Sequence, residues 1–560
     1  MKTIGIIPAR GGSKGIPRKN LRDLNGKPLI AYTIGTALKA GCFDQIVVST
    51  EDEEIAHIAR EFGAEVHIRP DHLAADQTTL DPVIFDAVQA VRDSYDIVAT
   101  LQPTCPLLKP ETLKAAHRKM MEDKSIDTLL SAVNDPRLAW IEVDSEIVPA
   151  YEKRVNRQEL PPYFRETGAF FFSRREWVTE SSRFGKKVAV FEIPENEALD
   201  IDTMKDWWIA ERTLQSRRIA FRVGGNRKIG FGHVYRQLLL ANRLLDHDLR
   251  FFLDEAHDSA IEVIRGAFYP LEFGKREEIQ GRILDYQPDI LINDILDTTP
   301  DEVLPFKEKG IFVVNFEDLG TGMPEADLVI NALYESDLPY SHVYTGPDYY
   351  CLRDEFAHTR PRDLSEKLNH LLITFGGADP SNLTHKSIRA LGGWIANRAI
   401  RTKVILGLGY PEEWEIPFRE EIANRKVTDL VSFFRNVKSM AAEFKWADLA
   451  LTSYGRTMYE IASMGVPAIL MGQNQRELQH AFGHSKNGFA SLGLGEKVTD
   501  DQLLATVKSI DANPKLRVEM RNRMAETDLG GGAYRVTQLI LNAYREANLK
   551  KSQTQSIGNE

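Results

Sequence analysis

Short β-branched runs alternate with amphipathic stretches along nearly all of this 560-residue chain, and that alternation restricts its fold more than any other feature. Thr3–Ile7, Gln45–Ser49, Glu65–Ile68, Ile97–Leu101 and Thr128–Ala132 read as strands, with Leu29–Ala40, Glu53–Phe62 and Pro82–Val91 as helices between them. Such β-α alternation predicts α/β sheets, mostly parallel, with ligands at the carboxyl ends of the strands. A helical stretch, Met204–Gln215, then runs into Arg217-Arg218, and Ile219–Val223 opens a second series. A polar, Pro-containing break at 359–367 precedes a third series, with strands at Leu371–Phe375, Thr402–Leu408, Leu430–Phe433, Leu449–Thr452 and Ala468–Met471. The expected organisation is a first domain over 1–217, two lobes facing a cleft over 218–365 and 366–548, and a disordered polar tail over 549–560.

Composition removes several classes of function. The chain is 43% hydrophobic and 27% charged, which is ordinary globular composition with material for several cores. A net charge of −11 gives no field to draw it to phosphate backbones, so no nucleic-acid partner is expected. No apolar run approaches the ~18 residues of a membrane span, so no membrane partner is expected either. MKTIGIIPAR runs into a basic, Gly-rich stretch instead of a small-residue cleavage site, which reads as a cytoplasmic start. Cys42, Cys105 and Cys351 are scattered and odd in number, against a disulfide framework or a structural zinc site.

Chemistry concentrates first in Ile6-Ile7-Pro8-Ala9-Arg10-Gly11-Gly12-Ser13-Lys14-Gly15-Ile16-Pro17-Arg18-Lys19-Asn20. Here a strand ends in a loop with three glycines and four cations within ten residues. Glycines let backbone N–H groups converge on an anion, and Arg and Lys neutralise a polyphosphate. The spacing is not that of a Walker A loop, and composition alone also allows a solvated basic loop. Asp200 and Asp202 can converge at a strand end as hard oxygen ligands for Mg²⁺, or open the following helix as a carboxylate pair.

The first segment resembles the signature loop of the CMP-sialic acid synthetases, the acylneuraminate cytidylyltransferases, and the resemblance spans about residues 1–217. It continues through Arg69-Pro70 with Leu73-Ala74 and Asp76, Leu101-Gln102-Pro103-Thr104-Cys105-Pro106-Leu107, Arg157-Gln158-Glu159-Leu160-Pro161, Arg165-Glu166-Thr167-Gly168-Ala169 and Asp200-Ile201-Asp202. Lys19-Asn20 favours this branch over the Kdo cytidylyltransferases, which share IPAR. The resemblance implies a Rossmann-like nucleotidyltransferase sheet that joins CTP to a nonulosonic acid, a nine-carbon sugar acid. It implies Arg10, Ser13, Lys19, Asn20 and Arg69 on CTP, with Lys19 and Arg10 on the phosphates as catalytic cations. Gln102, Arg157 and Arg165 would face the sugar acid, Asp200 and Asp202 would hold Mg²⁺, and the domain would form a homodimer. Three residues depart from the family pattern: Cys105 for Ser, Leu108 for Arg and Thr167 for Asn. The last two bear on which sugar would be accepted.

The second concentration is Phe221-Arg222-Val223-Gly224-Gly225-Asn226-Arg227-Lys228-Ile229-Gly230-Phe231-Gly232-His233, a strand, a Gly-rich turn and a helix starting near His233. Gly230 and Gly232 permit close backbone approach, and a histidine at a helix start serves either as a cap or as a base. With Asn293-Asp294, Phe316-Glu317-Asp318, Phe375-Gly376-Gly377-Ala378-Asp379-Pro380-Ser381-Asn382-Leu383-Thr384, Glu460, Gly465-Val466-Pro467 and Asn474-Gln475, it resembles the UDP-sugar hydrolases of pseudaminic acid biosynthesis over about 219–545. That resemblance implies a GT-B-like pair of α/β lobes and no metal or other cofactor. His233 would activate water, while Gly232, Asp294, Gly376, Gly377, Asn382, Glu460, Asn474 and Gln475 bind the UDP-sugar. Gly224 stands where that family usually has Asp. The joint expectation is a bifunctional enzyme of nonulosonic acid biosynthesis, making a CMP-nonulosonate and releasing UDP from an acetamido sugar. A glycosyltransferase or a non-catalytic UDP-sugar sensor are the alternatives for the second half.

Overall fold

A computed structural model describes residues 1–75, 77–225, 231–335, 340–407, 409–435 and 437–557. The expectations placed on Asp76, on Ile229 and Gly230, on Leu408 and on 558–560 lie outside the described residues. The chain forms two compact units, Met1–Ser216 and Arg217–Glu560.

In the first unit, β1 (Thr3–Pro8), β2 (Gln45–Thr50), β3 (Glu65–Ile68), β4 (Ile97–Leu101), β5 (Thr128–Asn134), β6 (Phe164–Arg174) and β7 (Val188–Glu192) make one sheet in the order β7-β5-β6-β4-β1-β2-β3. Every residue of β1 and β4 is buried, because helices cover both faces. Alternate β1 residues point to opposite sides. Ile7 packs with Ile30 and Ile34 of α1 (Leu29–Ala40), and Ile4 and Ile6 pack with Ile84 and Val88 of α2 (Leu80–Ala90). The sheet is mixed, since β6 runs antiparallel to β4 and β5. β6 and β7 add to the five strands expected here. A capping box between Thr203 and Asp206 starts α3 (Met204–Leu214) directly after Asp202.

The second unit holds two parallel sheets. β8 (Arg218–Val223), β9 (Asp248–Asp254), β10 (Leu271–Gly274), β11 (Ile290–Asp294), β12 (Phe312–Phe316), β13 (Leu328–Asn331) and β14 (Val343–Thr345) are ordered β10-β9-β8-β11-β12-β13-β14. β15 (His370–Ile373), β16 (Arg401–Leu406), β17 (Val431–Arg435), β18 (Leu449–Thr452), β19 (Ala468–Gly472) and β20 (Phe489–Leu494) are ordered β17-β16-β15-β18-β19-β20. Both are doubly wound, and each reverses direction beside its own first strand, at β8/β11 and at β15/β18. A crevice opens at the carboxyl ends of those strand pairs. The unit is thus a GT-B-like pair of α/β lobes. α4 (Gly232–Asn242) follows β8, α5 (Leu383–Arg398) follows β15, and α6 (Thr457–Ser463) follows β18.

Two boundary expectations are corrected by α7 (Gly532–Ile557). Its Ala533, Val536 and Ile540 are buried among Phe221, Phe251 and Val314 of the first lobe. Residues 532–548 therefore complete the first lobe, although 366–548 was assigned to the second. The tail expected to be disordered from 549 continues the same helix to Ile557, since neither Pro nor Gly interrupts it after Gly532.

Candidate functional site

In the first unit, the adjacent carboxyl ends of β1 and β4 bring three loops together. The Ile201 N–H donates to the Thr104 carbonyl at 2.9 Å, which joins the 199–202 segment to the loop after β4. Lys19 Nζ donates to the Ile201 carbonyl at 2.6 Å and lies 3.4 Å from Asp202 Oδ1, which joins the same segment to the loop after β1. Gly15 permits that approach, because a Cβ there would stand 2.5 Å from the Asp202 carbonyl oxygen. Asn20 Nδ2 braces the loop by donating to the Arg10 carbonyl at 3.0 Å, while its Oδ1 stays buried without a partner among the described residues. Arg10 and Ser13 lie half-buried in this loop.

Asp200 is the electrostatic oddity of the site. Burial pushes its carboxyl up, Asp202 adds to that, and Thr104 and Lys19 oppose it. Its Oδ1 is buried without a hydrogen-bond partner among the described residues. Among the described residues, no group of three or more His, Cys, Asp or Glu gathers as a metal cage. Mg²⁺ is commonly held by one or two carboxylates plus substrate phosphates, so a two-carboxylate site with an unpartnered oxygen suits it.

Arg69 is buried, and its Nε and Nη2 donate to Glu51 Oε2 at 3.0 and 2.7 Å. The other Glu51 oxygen accepts from the Gly11 N–H at 2.7 Å, so one carboxylate joins Arg69 to the Gly-rich loop. Of the residues expected to face a sugar acid, Gln102 has its Nε2 2.9 Å from where a Cβ on Gly168 would stand. Arg157 and Arg165 both meet Asp135, at 3.2 and 3.6 Å, and Arg137 joins them at 2.8 Å. Asp135 and Glu51 were not found from the sequence. Each follows the end of a strand, which is the only local signal they carry.

Two of the family departures turn inward. Leu108 is buried in the core with Leu101 and Leu113. Thr167 is buried and donates to Ser131 Oγ at 2.8 Å. Both side chains are packing groups in this chain. Cys105 does what a serine would, with its buried thiol donating to the Thr167 carbonyl at 3.4 Å.

In the second unit, the adjacent ends of β8 and β11 place His233, at the start of α4, against Asp294. His233 Nδ1 lies 2.5 Å from Asp294 Oδ1. Arg236 donates to both Asp294 oxygens at 2.6 and 2.8 Å and to Glu317 Oε1 at 2.8 Å, while Gln237 Nε2 donates to Asp294 Oδ2 at 2.7 Å. Burial alone would raise the Asp294 carboxyl, but the Arg236 guanidinium and then His233 hold it well below the usual carboxylate range. Asp294 has no exposed surface, so it is not open to the UDP-sugar expected on it and meets the His233 imidazole instead. Gly224 N–H donates to the Asp294 carbonyl at 3.0 Å, joining the loop after β8 to this corner.

The second lobe sets Gly376 and Gly377 after β15, and Gly376 has φ +80°. Asn382 precedes α5, and its Oδ1 accepts from Tyr410 Oη at 2.8 Å. Glu460 is buried, and its Oε1 accepts from Arg353 Nε at 2.8 Å, so that oxygen is occupied. Asn474 Oδ1 accepts from the Glu477 N–H at 3.0 Å within an exposed turn, where Gln475 is also exposed. No helix among the described residues is long and apolar enough to cross a membrane.

A family model described as Cytidylyltransferase matches residues 4–206. Pseudaminic acid cytidylyltransferase of Campylobacter jejuni subsp. jejuni serotype O:23/36 (strain 81-176) is 37% identical over 218 residues, covering 37% of this chain and 93% of that protein. CMP-N,N'-diacetyllegionaminic acid synthase of Legionella pneumophila is 33% identical over 232 residues, covering 38% of this chain and 97% of that protein. Among solved structures, Acinetobacter baumannii MurG aligns with 58% of this chain and 99% of its own, at 15% identity and a TM-score of 0.44. The loops gathered around Lys19 and Asp200 and the near-complete coverage of these relatives agree: through its first unit, the chain belongs to the cytidylyltransferase family.

Proposed function

We propose that the first unit joins a nonulosonic acid to CMP, using CTP and releasing pyrophosphate, and that the second hydrolyses a UDP-linked acetamido sugar. The observation carrying the first reading is the junction of Lys19 with the 200–202 segment. Lys19 and Arg10 neutralise phosphate oxygens, and Asn20 and Arg69 hold the nucleoside end. The Arg157 and Arg165 guanidinium groups, gathered by Asp135, suit a carboxylate. The sugar hydroxyl oxygen bonds to the α-phosphorus as the bond to pyrophosphate breaks, and the hydroxyl proton is released to water. Asp200 and Asp202 would hold Mg²⁺, which would supply charge neutralisation. The two relatives named for pseudaminic and diacetyllegionaminic acids support this substrate class.

For the second unit, the supporting observation is the His233–Asp294 pair. A carboxylate on Nδ1 keeps the proton there and leaves Nε2 with its lone pair, as a general base needs. Water gives its proton to Nε2 while its oxygen bonds to the anomeric carbon, and UDP leaves with the electron pair of the broken C–O bond. The test measures UDP release from UDP-2,4-diacetamido-2,4,6-trideoxyhexoses, and CTP turnover with nonulosonic acids, in the full chain and in His233→Ala. UDP release should disappear in the variant while CTP turnover persists. Release that is unchanged in the variant, or absent in both proteins, would remove the hydrolase reading. Absence of acid-dependent pyrophosphate release would remove the first.

A further inference from the structure

We propose that Arg456 receives the diphosphate of a nucleotide sugar in the second unit, an assignment that rests on the UDP-sugar reading above. Arg456 belongs to the second lobe, on the turn between β18 and α6, yet its stem lies across the first turn of α4 in the first lobe. A Cβ on Gly232 would stand 2.6 Å from Arg456 Cδ and 3.4 Å from its Nε. Gly232 directly precedes His233, so the opposite lobe delivers an arginine to the residue next to the imidazole in sequence.

That guanidinium is held from behind and is incompletely used. It covers the Tyr350 ring at 4.9 Å, and Tyr350 stacks on Tyr459 at 4.0 Å and donates its hydroxyl to the Arg456 carbonyl at 3.1 Å. Nη2 reaches the Cys351 carbonyl only at 3.4 Å, and Nη1 is buried with no partner among the described residues. A buried donor on a cation is unfavourable until an acceptor arrives. Two acids exert a field on Arg456, but each is paired with a different arginine: Glu317 with Arg236 and Glu460 with Arg353, both at 2.8 Å.

The missing acceptor is therefore one that a ligand brings. The planar fork suits phosphate oxygens, and the charge that grows on the β-phosphate as the C–O bond breaks would fall beside this group. Arg456 thus binds the leaving group while His233 handles the attacking water. Gly376, Gly377 and the Ser453–Arg456 turn stand at the carboxyl ends of β15 and β18, the pair between which such a ligand sits in a doubly wound sheet.

The test compares binding of UDP with binding of uridine, which lacks phosphate, to the full chain and to Arg456→Gln, Arg456→Lys and Gly232→Ala. Arg456→Gln should weaken UDP at least about tenfold and leave uridine unchanged, with Arg456→Lys between it and the original. Gly232→Ala, whose added Cβ displaces the arginine stem, should weaken UDP in the same direction. Unchanged UDP affinity in a folded Arg456→Gln protein overturns the assignment and leaves the UDP-sugar reading standing. An equal loss for UDP and uridine makes Arg456 a structural tie and also overturns it. Should Arg456→Gln fail to fold, undiminished UDP affinity in Gly232→Ala overturns the assignment. Absence of UDP binding in the original chain removes the UDP-sugar reading, and the assignment falls with it.

Discussion

Asp294 carries more of the second site than its size suggests. It has no exposed surface, and it accepts from Arg236 twice and from Gln237 while holding His233. Asp294→Asn would leave Arg236 buried with Glu317 as its only remaining carboxylate, a loss of about 3 kcal/mol on the scale of broken buried pairs. Because the folded carboxyl sits below its usual range, its stabilisation is fully present above the unfolded value of about 3.9 and fades as pH falls through the lower folded value. The stability gap between original and variant should therefore be full at about pH 7 and narrower at about pH 3.5, read from urea midpoints. A gap that widens on acidification would contradict this account. At this scale, the sequence exposed Lys19, Asp200 and His233, the groups to which the proposed chemistry is assigned. It did not expose Asp135, Glu51 or Arg236, which become partners only when distant segments meet. Leu108 and Thr167 show the converse, since positions expected at a ligand pack inward once β6 and the loop after β4 are in place.

Among elements, the loop after β1 matters as a backbone as much as a set of cations. A Cβ on Gly15 would meet a carbonyl oxygen, Asp202 O, which has no flexible end to swing away. Gly15→Ala should part the loop from the 200–202 segment and raise KM for CTP about tenfold, equivalent to ~1.4 kcal/mol, with UDP release unchanged. Steady-state assays of both activities in one preparation would check it. The final helix makes the second element-level case. Tyr544 packs edge-on to Phe312 at 5.8 Å, and its Oη donates to Asp289 at 3.3 Å, while Ala547 is the last residue packed against the first-lobe core. A chain ending at Asn548 should melt where the full chain does, and one ending at Gly531 should melt well below it, because Val536 and Ile540 leave a cavity. Strands buried on both faces, such as β1 and β4, were legible as continuous apolar runs. β6 was not read as a strand because its Arg165-Glu166 start and its Phe170-Phe171-Phe172 end share no single period. The return of α7 was illegible because helical periodicity reveals that a face is buried but not which sheet buries it.

For the whole molecule, the question is whether the two proposed activities depend on each other. Met1–Ser216 has its own cores, one around Ile7 and Leu101 and another around Ile4 and Val98. Arg217–Glu560 has others, around Phe221 and Phe251 and around Leu371 and Leu451. Units of this size bury enough apolar surface to fold alone. The loops at Lys19, the Asp200–Asp202 pair and Asp135 all belong to the first unit, and His233, Asp294 and Arg456 all belong to the second. The groups assigned to each proposed activity therefore lie within one unit. Residues 1–216 expressed alone should turn over CTP with a nonulosonic acid, and residues 217–560 alone should release UDP. Calorimetry of the full chain should show two transitions at the temperatures of the separate pieces. A piece that folds but loses its activity would mean that its site borrows a group from the other unit. Transitions that merge in the full chain would mean that the two units stabilise each other.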